Sequence, residues 1–554
     1  MAQRNKPTNK VDDYLSKYDN LKKKRSYYEQ VWDLITKYVY PRRDAFGTDT
    51  DIRVKDIYDS TALSSHSLMV DAFTGYLISR SSPWFRLSIR DYKTSNDRAL
   101  KGWLEDAEKG MYGELERANF YDTIPTTIAD GTSIGTALIY AEEDEARGLI
   151  NYVPRHPKEA YIAVDRYGKV DTVYRHFYQT GKQILEVFGE KAIPTNMLNQ
   201  IKQAPFNSYE ILHVVEPRVL RDEKKIDAKN KRYASIYILL GIGNADTSSI
   251  ILKEGGYDDF PYIVWRFKIA STEEYGRSYV WDALPDIIRA NSVAKTLMEA
   301  AQLNVRPPLQ YPAEMKYNIE IVPNGMTPYT SPARLIKPIQ LGQNYPIGER
   351  VIMDLRNSIR EQLKVDFFLL LSRIAQQKGE MTAREVIELA GEKAAVLGTI
   401  MGRINSELLD PILEKTLIMG LKAGRIPPPP KEYVSIIGRK MKIDYIGTMA
   451  QAQKRLQATQ GISQSLSQLL PLAQFYPGIL DVIDQDKLGV EILERSGMPV
   501  DIIKTETEIS EERKRKLALM QAMQASQNQQ NQGGQGVQTG QQSAQVGESV
   551  PEGL

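Results

Sequence analysis

The chain has no cysteine, four histidines and five tryptophans in 554 residues. Without cysteine there is no disulfide framework, no thiolate zinc site and no cysteine nucleophile. His66, His156, His176 and His213 are scattered, with no metal-ligand spacing and no paired serine or carboxylate motif, so packed or solvated roles are expected. No stretch approaches the roughly eighteen uninterrupted apolar residues of a membrane helix, and the polar N-terminus is unlike a signal peptide; synthesis and use in cytoplasm are expected. Charge of one sign is also lacking. The 72 Lys and Arg nearly balance the 70 Asp and Glu, so any contact with nucleic acid must come from local patches. A G-x-x-x-x-G-K-S/T loop is absent, which counts against an ATPase motor. Gly241-Ile-Gly243 is half of a dinucleotide fingerprint, but Asp246 holds the third glycine position and no βαβ unit follows, so a strand-end turn is expected. Asp49 with Asp51, and Asp484 with Asp486, are explained by surface loops, and Trp84-Phe85 and Trp265 read as core. These residues support no catalytic site, no metal and no cofactor.

What is present is a long chain with 42% hydrophobic residues, enough to bury real cores and too long for a single one. Helical periodicity covers residues 11–40, 60–79, 96–118 and 122–133. Within the first, Lys22-Lys-Lys-Arg25 is expected to be a solvated face. Strands rich in Val, Ile and Tyr are expected at 136–141, 161–164, 170–177, 209–219, 233–240 and 262–267. Helices before strands, without strict alternation, indicate an α+β fold, predominantly helical, with a mainly antiparallel sheet.

The organising stretch lies at about 275–422. A helix is expected to open at Asp282-Ala-Leu-Pro285-Asp286, with the proline in its first turn. It stops at Val305-Arg306-Pro307-Pro308. Some forty proline-rich residues follow, read as a compact loop-and-strand insert. A second helix is then marked by Val351, Ile352, Leu355, Ile359, Leu363, Phe367, Leu370 and Ile374. After a polar break at Gln376-Gln377-Lys378-Gly379-Glu380, a third helix starts at Thr382 with Glu385 closing a capping box, and continues to Gly424 with a kink expected at Pro411. Gly391, Gly398 and Gly402 leave bare patches for close backbone approach. Such a layout suits a subunit that packs against copies of itself. Beyond it, residues 433–437 and 442–445 are expected to pair as a hairpin across Gly438-Arg439, and the Gln-, Gly- and Ser-rich tail is expected to be disordered.

Tyr275-Gly-Arg-Ser278, Ala283-Leu-Pro-Asp286-Ile with Asn291, Arg306-Pro-Pro308, Met381-Thr-Ala-Arg-Glu385-Val and Gly424-Arg-Ile-Pro427 occur in this order. Trp32, Pro41, Ile57-Tyr-Asp59-Ser-Thr61 and Ser82-Pro-Trp-Phe85 precede them. Together they resemble the portal, or head-to-tail connector, family of short-tailed phages, over residues 11 to about 470. The resemblance implies a portal fold assembling as a ring. It assigns a flexible N-terminus at 1–10, a wing at 11–281, stem helices at 282–304 and 347–375, and a clip at 305–346. A tunnel loop at 376–381, a long kinked wing helix at 382–424, a crown with C-terminal helices at 425–526 and a tail at 527–554 complete it.

It also implies a dodecamer at a unique capsid vertex, with double-stranded DNA passing through the channel. Partners would be major capsid and scaffolding proteins, the terminase motor, and tail adaptor and nozzle proteins, in a virion assembled in host cytoplasm. The tunnel loop residues Gln376, Gln377, Lys378, Gly379 and Glu380 would face DNA, Lys316, Arg334 and Lys337 of the clip would face motor or adaptors, and Arg350, Arg356 and Lys364 would lie on the stem. Two other classes stay open on the residues alone: a virion scaffold or internal protein that forms no ring, and a metal-dependent enzyme acting on nucleic acid.

Overall fold

The computed structural model describes residues 10–41, 56–89, 98–144, 147–225, 227–241, 249–305, 309–310, 337–338, 345–369, 400–433, 441–447 and 513–515. The chain divides into two compact units, Met1–Gln457 and Ala458–Leu554. In the second, residues 513–515 are helical. In the first, α1 (Lys10–Tyr38), α2 (Thr61–Leu77), β1 (Phe85–Ile89), α3 (Arg98–Arg117) and α4 (Phe120–Ser133) come first. They are followed by β2 (Thr136–Asp144), β3 (Leu149–Arg155), β4 (Ala160–Val164), β5 (Val170–Thr180), α5 (Gly181–Phe188) and α6 (Thr195–Gln203). Next come β6 (Ser208–Pro217), β7 (Tyr233–Leu239), β8 (Ile250–Tyr257), β9 (Tyr262–Arg266) and α7 (Tyr279–Val305). The described chain ends with β10 (Leu309–Gln310), β11 (Lys337–Pro338), α8 (Tyr345–Gln362), α9 (Asp410–Lys422) and β12 (Met441–Tyr445).

Mixed helices and antiparallel strands bear out the α+β class. One sheet has the order β4-β5-β6-β7-β8 and a second β3-β2-β9, all antiparallel. Side chains alternate across the larger sheet. Tyr161, Tyr174, Val214 and Ile236 pack under Val11, Tyr18 and Leu21 of α1, whereas Ile162, Val173 and Val215 face the smaller sheet through Leu138, Tyr140 and Val264. The largest core joins α2, α3, α4, α7, α8 and α9 around the buried Phe73, Trp84, Trp265 and Phe267. β3 and β8 have no counterpart among the expected strands. β3 contains Pro154 and β8 contains Gly255-Gly256, residues that weaken a strand pattern, and both lie at sheet edges, where they are tolerated.

Arg25 corrects the reading of the basic run as a solvated face. Lys22, Lys23 and Lys24 are exposed, but Arg25 is buried: its guanidinium stacks 3.4 Å from the Tyr161 ring centroid and donates to the Ala160 carbonyl at 2.8 Å. Lys10, Lys17 and Lys24, seven residues apart, reach Glu254, Glu216 and Glu274 at 3.9, 3.1 and 2.7 Å and run α1 along the sheet domain. β12 pairs antiparallel with β1, Phe85 opposite Tyr445 and Ile89 opposite Met441, a partnership not expected from sequence. Of the hairpin expected between 433–437 and 442–445, residues 434–440 lie outside the described residues.

The bracketing helices also differ from expectation. α7 begins at Tyr279, not Asp282, because Ser278 Oγ accepts from the Trp281 N–H at 3.2 Å and thereby caps the helix. Pro285 therefore sits inside α7, on its exposed side. α8 stops at Gln362. Lys364 takes φ +58°, and a helical course resumes at 365–369, so the single helix expected over 347–375 is broken. At the end of the third helix, Pro411 stands in the first turn of α9, directly after a π-helical turn at Ile404–Leu409. The wider turn, closed by Asp410 N–H to Asn405 O, is the distortion that accompanies the proline. Residues 382–399, including Gly391 and Gly398, lie outside the described residues. Gly402 is exposed, with no atom within 4 Å of where a Cβ would stand.

Candidate functional site

The helix pair α7–α8 and its root are what the fold builds most deliberately. The two helices pack so closely that a Cβ on Gly348 would stand 2.6 Å from Leu297 Cδ2. Nearer the root, Asp286 of α7 accepts from Ser358 Oγ at 2.9 Å and Gln362 Nε2 at 2.8 Å of α8. Towards the other end apolar side chains turn outward: Met298, Leu303, Val305, Ile347, Val351 and Met353 are exposed.

Residues 56–60 cross this root. Asn291 of α7 accepts from the N–H groups of Tyr58 and Asp59 at 2.7 and 3.2 Å and donates to Asp56 O at 3.0 Å. Asp59 receives the Thr61 N–H at 3.0 Å, starting α2, and Arg356 Nε of α8 at 2.8 Å. Burial pushes the Asp59 carboxyl upward, but the hydrogen bonds from Arg356 and Thr61 together outweigh it and hold the group below its ordinary value. One short segment thus ties α2, α7 and α8 together.

The neighbouring strings are joints of the same kind. Tyr275 OH accepts from Ile162 N–H at 3.0 Å, Gly276 N–H donates to Thr136 Oγ1 at 2.9 Å, and Ser278 Oγ donates to Ser133 O at 2.5 Å. A Cβ on Gly276 would lie 2.2 Å from Gly135 O, so the backbone contact requires glycine. Gly424, at φ +69°, ends α9 and sends Arg425 onto the buried Glu114 carboxylate at 2.6 Å and Gly148 O at 2.5 Å. Trp103 Nε1 donates to Pro427 O at 2.9 Å. Arg266, buried, and Glu407, half-buried, pair at 2.7 Å between β9 and the π-turn and were not singled out by sequence; 141 positions separate them and neither stands in a marked motif.

Of the residues expected on the stem, Arg350 is exposed on α8, Arg356 is engaged by Asp59, and Lys364 falls at the break after α8. Lys337 belongs to β11, whose backbone pairs with β10, Gln310 opposite Lys337. Lys316, Arg334, Gln376, Gln377, Lys378, Gly379 and Glu380 lie outside the described residues. The histidines are built into the scaffold. His66 bonds Thr132 Oγ1 at 3.1 Å, His213 bonds Tyr262 OH at 2.8 Å and Ser235 Oγ at 3.0 Å, His176 faces Glu210 at 3.2 Å, and His156 Nδ1 accepts from Lys158 N–H at 3.1 Å. Among the described residues no three His, Asp or Glu side chains are grouped to hold a metal ion, and no helix is long and apolar enough to cross a membrane. The described contacts make a braced helix pair on a two-sheet support.

The chain belongs to the bacteriophage head to tail connecting protein family, whose model matches residues 11–503. It is similar to the portal protein of Salmonella phage epsilon15, 28% identical with 92% of each chain covered. It is also similar to the probable portal protein of Bordetella phage BPP-1, 26% identical over 92% of this chain and 91% of that one. The portal protein of Enterobacteria phage T3 is 23% identical over 68% and 70%.

Proposed function

We propose that this chain is the portal subunit of a short-tailed phage, a structural protein without catalytic activity. In this reading a dodecameric ring stands at one capsid vertex and lets double-stranded DNA in during packaging and out during ejection. The observation that carries it is the family match over residues 11–503, joined by portal-named relatives aligned over nine-tenths of both chains. The helix pair supports it: α7, with 27 residues, is about 40 Å long, and α8, with 18, about 27 Å, enough to wall a section of channel. A closed ring needs heterologous contacts, and the outward apolar side chains of the pair suit a neighbouring copy.

The wing takes the α1–β9 region, the stem α7 and α8, the clip the insert between them, and the tunnel loop 376–381, followed by the long wing helix and then a crown. Gln376, Gln377, Lys378, Gly379 and Glu380 would touch DNA transiently. Lys316, Arg334 and Lys337 would meet the terminase motor and then tail adaptor and nozzle proteins, while capsid and scaffolding proteins hold the ring in the virion assembled in host cytoplasm. DNA carries one charge per ~1.7 Å of duplex, so a strongly basic lining would grip it; the near-neutral stem suits sliding. Negative-stain electron microscopy of the purified chain tests the reading. Twelve- or thirteen-fold rings with an axial hole wide enough for a duplex are expected. Polydisperse assemblies without a hole, or divalent-cation-dependent nuclease activity, would overturn it.

A further inference from the structure

The end of the larger sheet where β4 turns into β5 and β6 leads to β7 carries exposed apolar side chains amid excess positive charge. Val164 pairs with Val170 and Val173 with Val215, so the turn at 165–169 and residues 218–220 lie at the same sheet end. Val219 and Leu220 are each 93% exposed, and Tyr167 at the turn is 77% exposed. The connector 218–232 holds seven lysines and arginines against three carboxylates. Those carboxylates are engaged locally: Glu223 by Arg221 at 2.7 Å, Asp222 by Lys225 at 3.7 Å, and Asp227 by the Asn230 side chain at 2.6 Å. Lys231 faces Asp258 at 3.2 Å. Among the described residues no carboxylate lies within ion-pair distance of Lys224, Lys229, Arg232, Arg166 or Lys169.

A single exposed aliphatic side chain is ordinary, but three apolar side chains at one sheet end, beside cations that outnumber the neighbouring Asp165, Asp171, Asp258 and Asp259 and the connector's own carboxylates, form a patch. A nucleic-acid backbone would use the cations and gain nothing from Val219 and Leu220. A protein surface with acidic groups around an apolar anchor uses both, the apolar contact for affinity and the charges for approach and register. Resting on the portal reading, we propose that this sheet end is a docking surface for another virion protein presenting such an acidic, apolar-centred face.

The test uses phage carrying Val219→Ser with Leu220→Ser, and separately Lys224→Glu with Lys229→Glu, each compared with wild type for ring formation and for the amount of this chain in purified particles. Rings should form unchanged, and incorporation should fall at least about tenfold for both variants, as when central contacts of an interface are lost. Suppressors of the charge reversal should exchange an acidic for a neutral or basic residue in the gene of a different virion protein. Undiminished incorporation of both variants would overturn the proposal. Suppressors confined to this chain's own gene would assign the patch to a second copy instead. A loss limited to the charge reversal, matched by weaker retention of a duplex DNA probe, would make it a nucleic-acid site. Absence of the wild-type chain from purified particles is a separate result, and it would refute the portal reading itself.

Discussion

Arg356 on α8 donates through Nε to Asp59 at 2.8 Å, across 297 positions of sequence, and so fixes the start of α2 to the root of the helix pair. Asp59 is 3% exposed and Arg356 43%. Arg356→Ala strands a buried carboxylate, and the expected loss is about 2 kcal/mol, below the range for fully buried pairs because the arginine is partly solvated. Chemical denaturation of the variant, with Asp59→Asn and the double variant closing a thermodynamic cycle, measures the coupling. Independent, additive losses would show that the two side chains do not act together.

Gly276 lies against backbone rather than side chain. Its Cβ would meet Gly135 O at 2.2 Å and Phe267 N at 3.0 Å, and neither can move aside as a flexible side chain would. Gly276→Ala is expected to cost about 3 kcal/mol or more and to lower the soluble yield sharply. Ser278→Ala, which loses only the α7 cap and one bond to Ser133, should cost about 1 kcal/mol. Thermal unfolding of both checks the order; equal midpoints would contradict it.

Burial lowers the His66 pKa to about 4 and holds His213 well below its ordinary value. A depressed folded-state pKa contributes stability that is complete above the unfolded value near 6.5 and drains away as pH falls towards the folded one. For His66 the window is therefore pH 6.5 to 4, and the full effect is roughly 3 kcal/mol. Burial raises the pKa of Glu108, Asp171, Asp410 and Glu414, and these carboxyls oppose the histidines as pH falls, so the wild-type curve mixes both. The difference between wild type and His66→Gln isolates the histidine. That difference should shrink between pH 7.5 and 5, and one that stays constant would exclude neutral burial of His66.

The amphipathic periods of α1 to α4 and the Val-, Ile- and Tyr-rich strands of the sheets were legible because burial on one face writes itself into local sequence. Contacts between distant segments were not. Nothing in Phe85–Ile89 or Met441–Tyr445 names the other as a partner, so this pairing could be seen only in the fold. Arg25 looked like its lysine neighbours, since only the Tyr161 ring on another element distinguishes it. The break at Lys364 had no glycine to announce its positive φ, and the cap that starts α7 at Tyr279 is a serine read as part of a motif. The strings at 57–61, 275–278 and 424–427 were visible, whereas their work as joints needed the fold.

The segment 376–380 offers the sharpest test of the channel reading because it separates assembly from transport. Its two glutamines, one lysine, one glycine and one glutamate supply small, polar and oppositely charged groups, suited to brief contacts with a moving phosphate backbone and poorly suited to a packed core. The braces found at the helix-pair root, Asn291 to residues 56–59 and Asp59 to Arg356, involve none of these residues. Deleting Gln376, Gln377, Lys378, Gly379 and Glu380 is therefore expected to leave ring symmetry in micrographs unchanged while lowering the fraction of DNA-filled particles. Replacing the five with Gly and Ser should restore the length without the charges, and a partial recovery would separate reach from electrostatics. Normal filling and infectivity in the deletion variant would remove the segment from the channel mechanism, and failure to form rings would move it into the subunit interface.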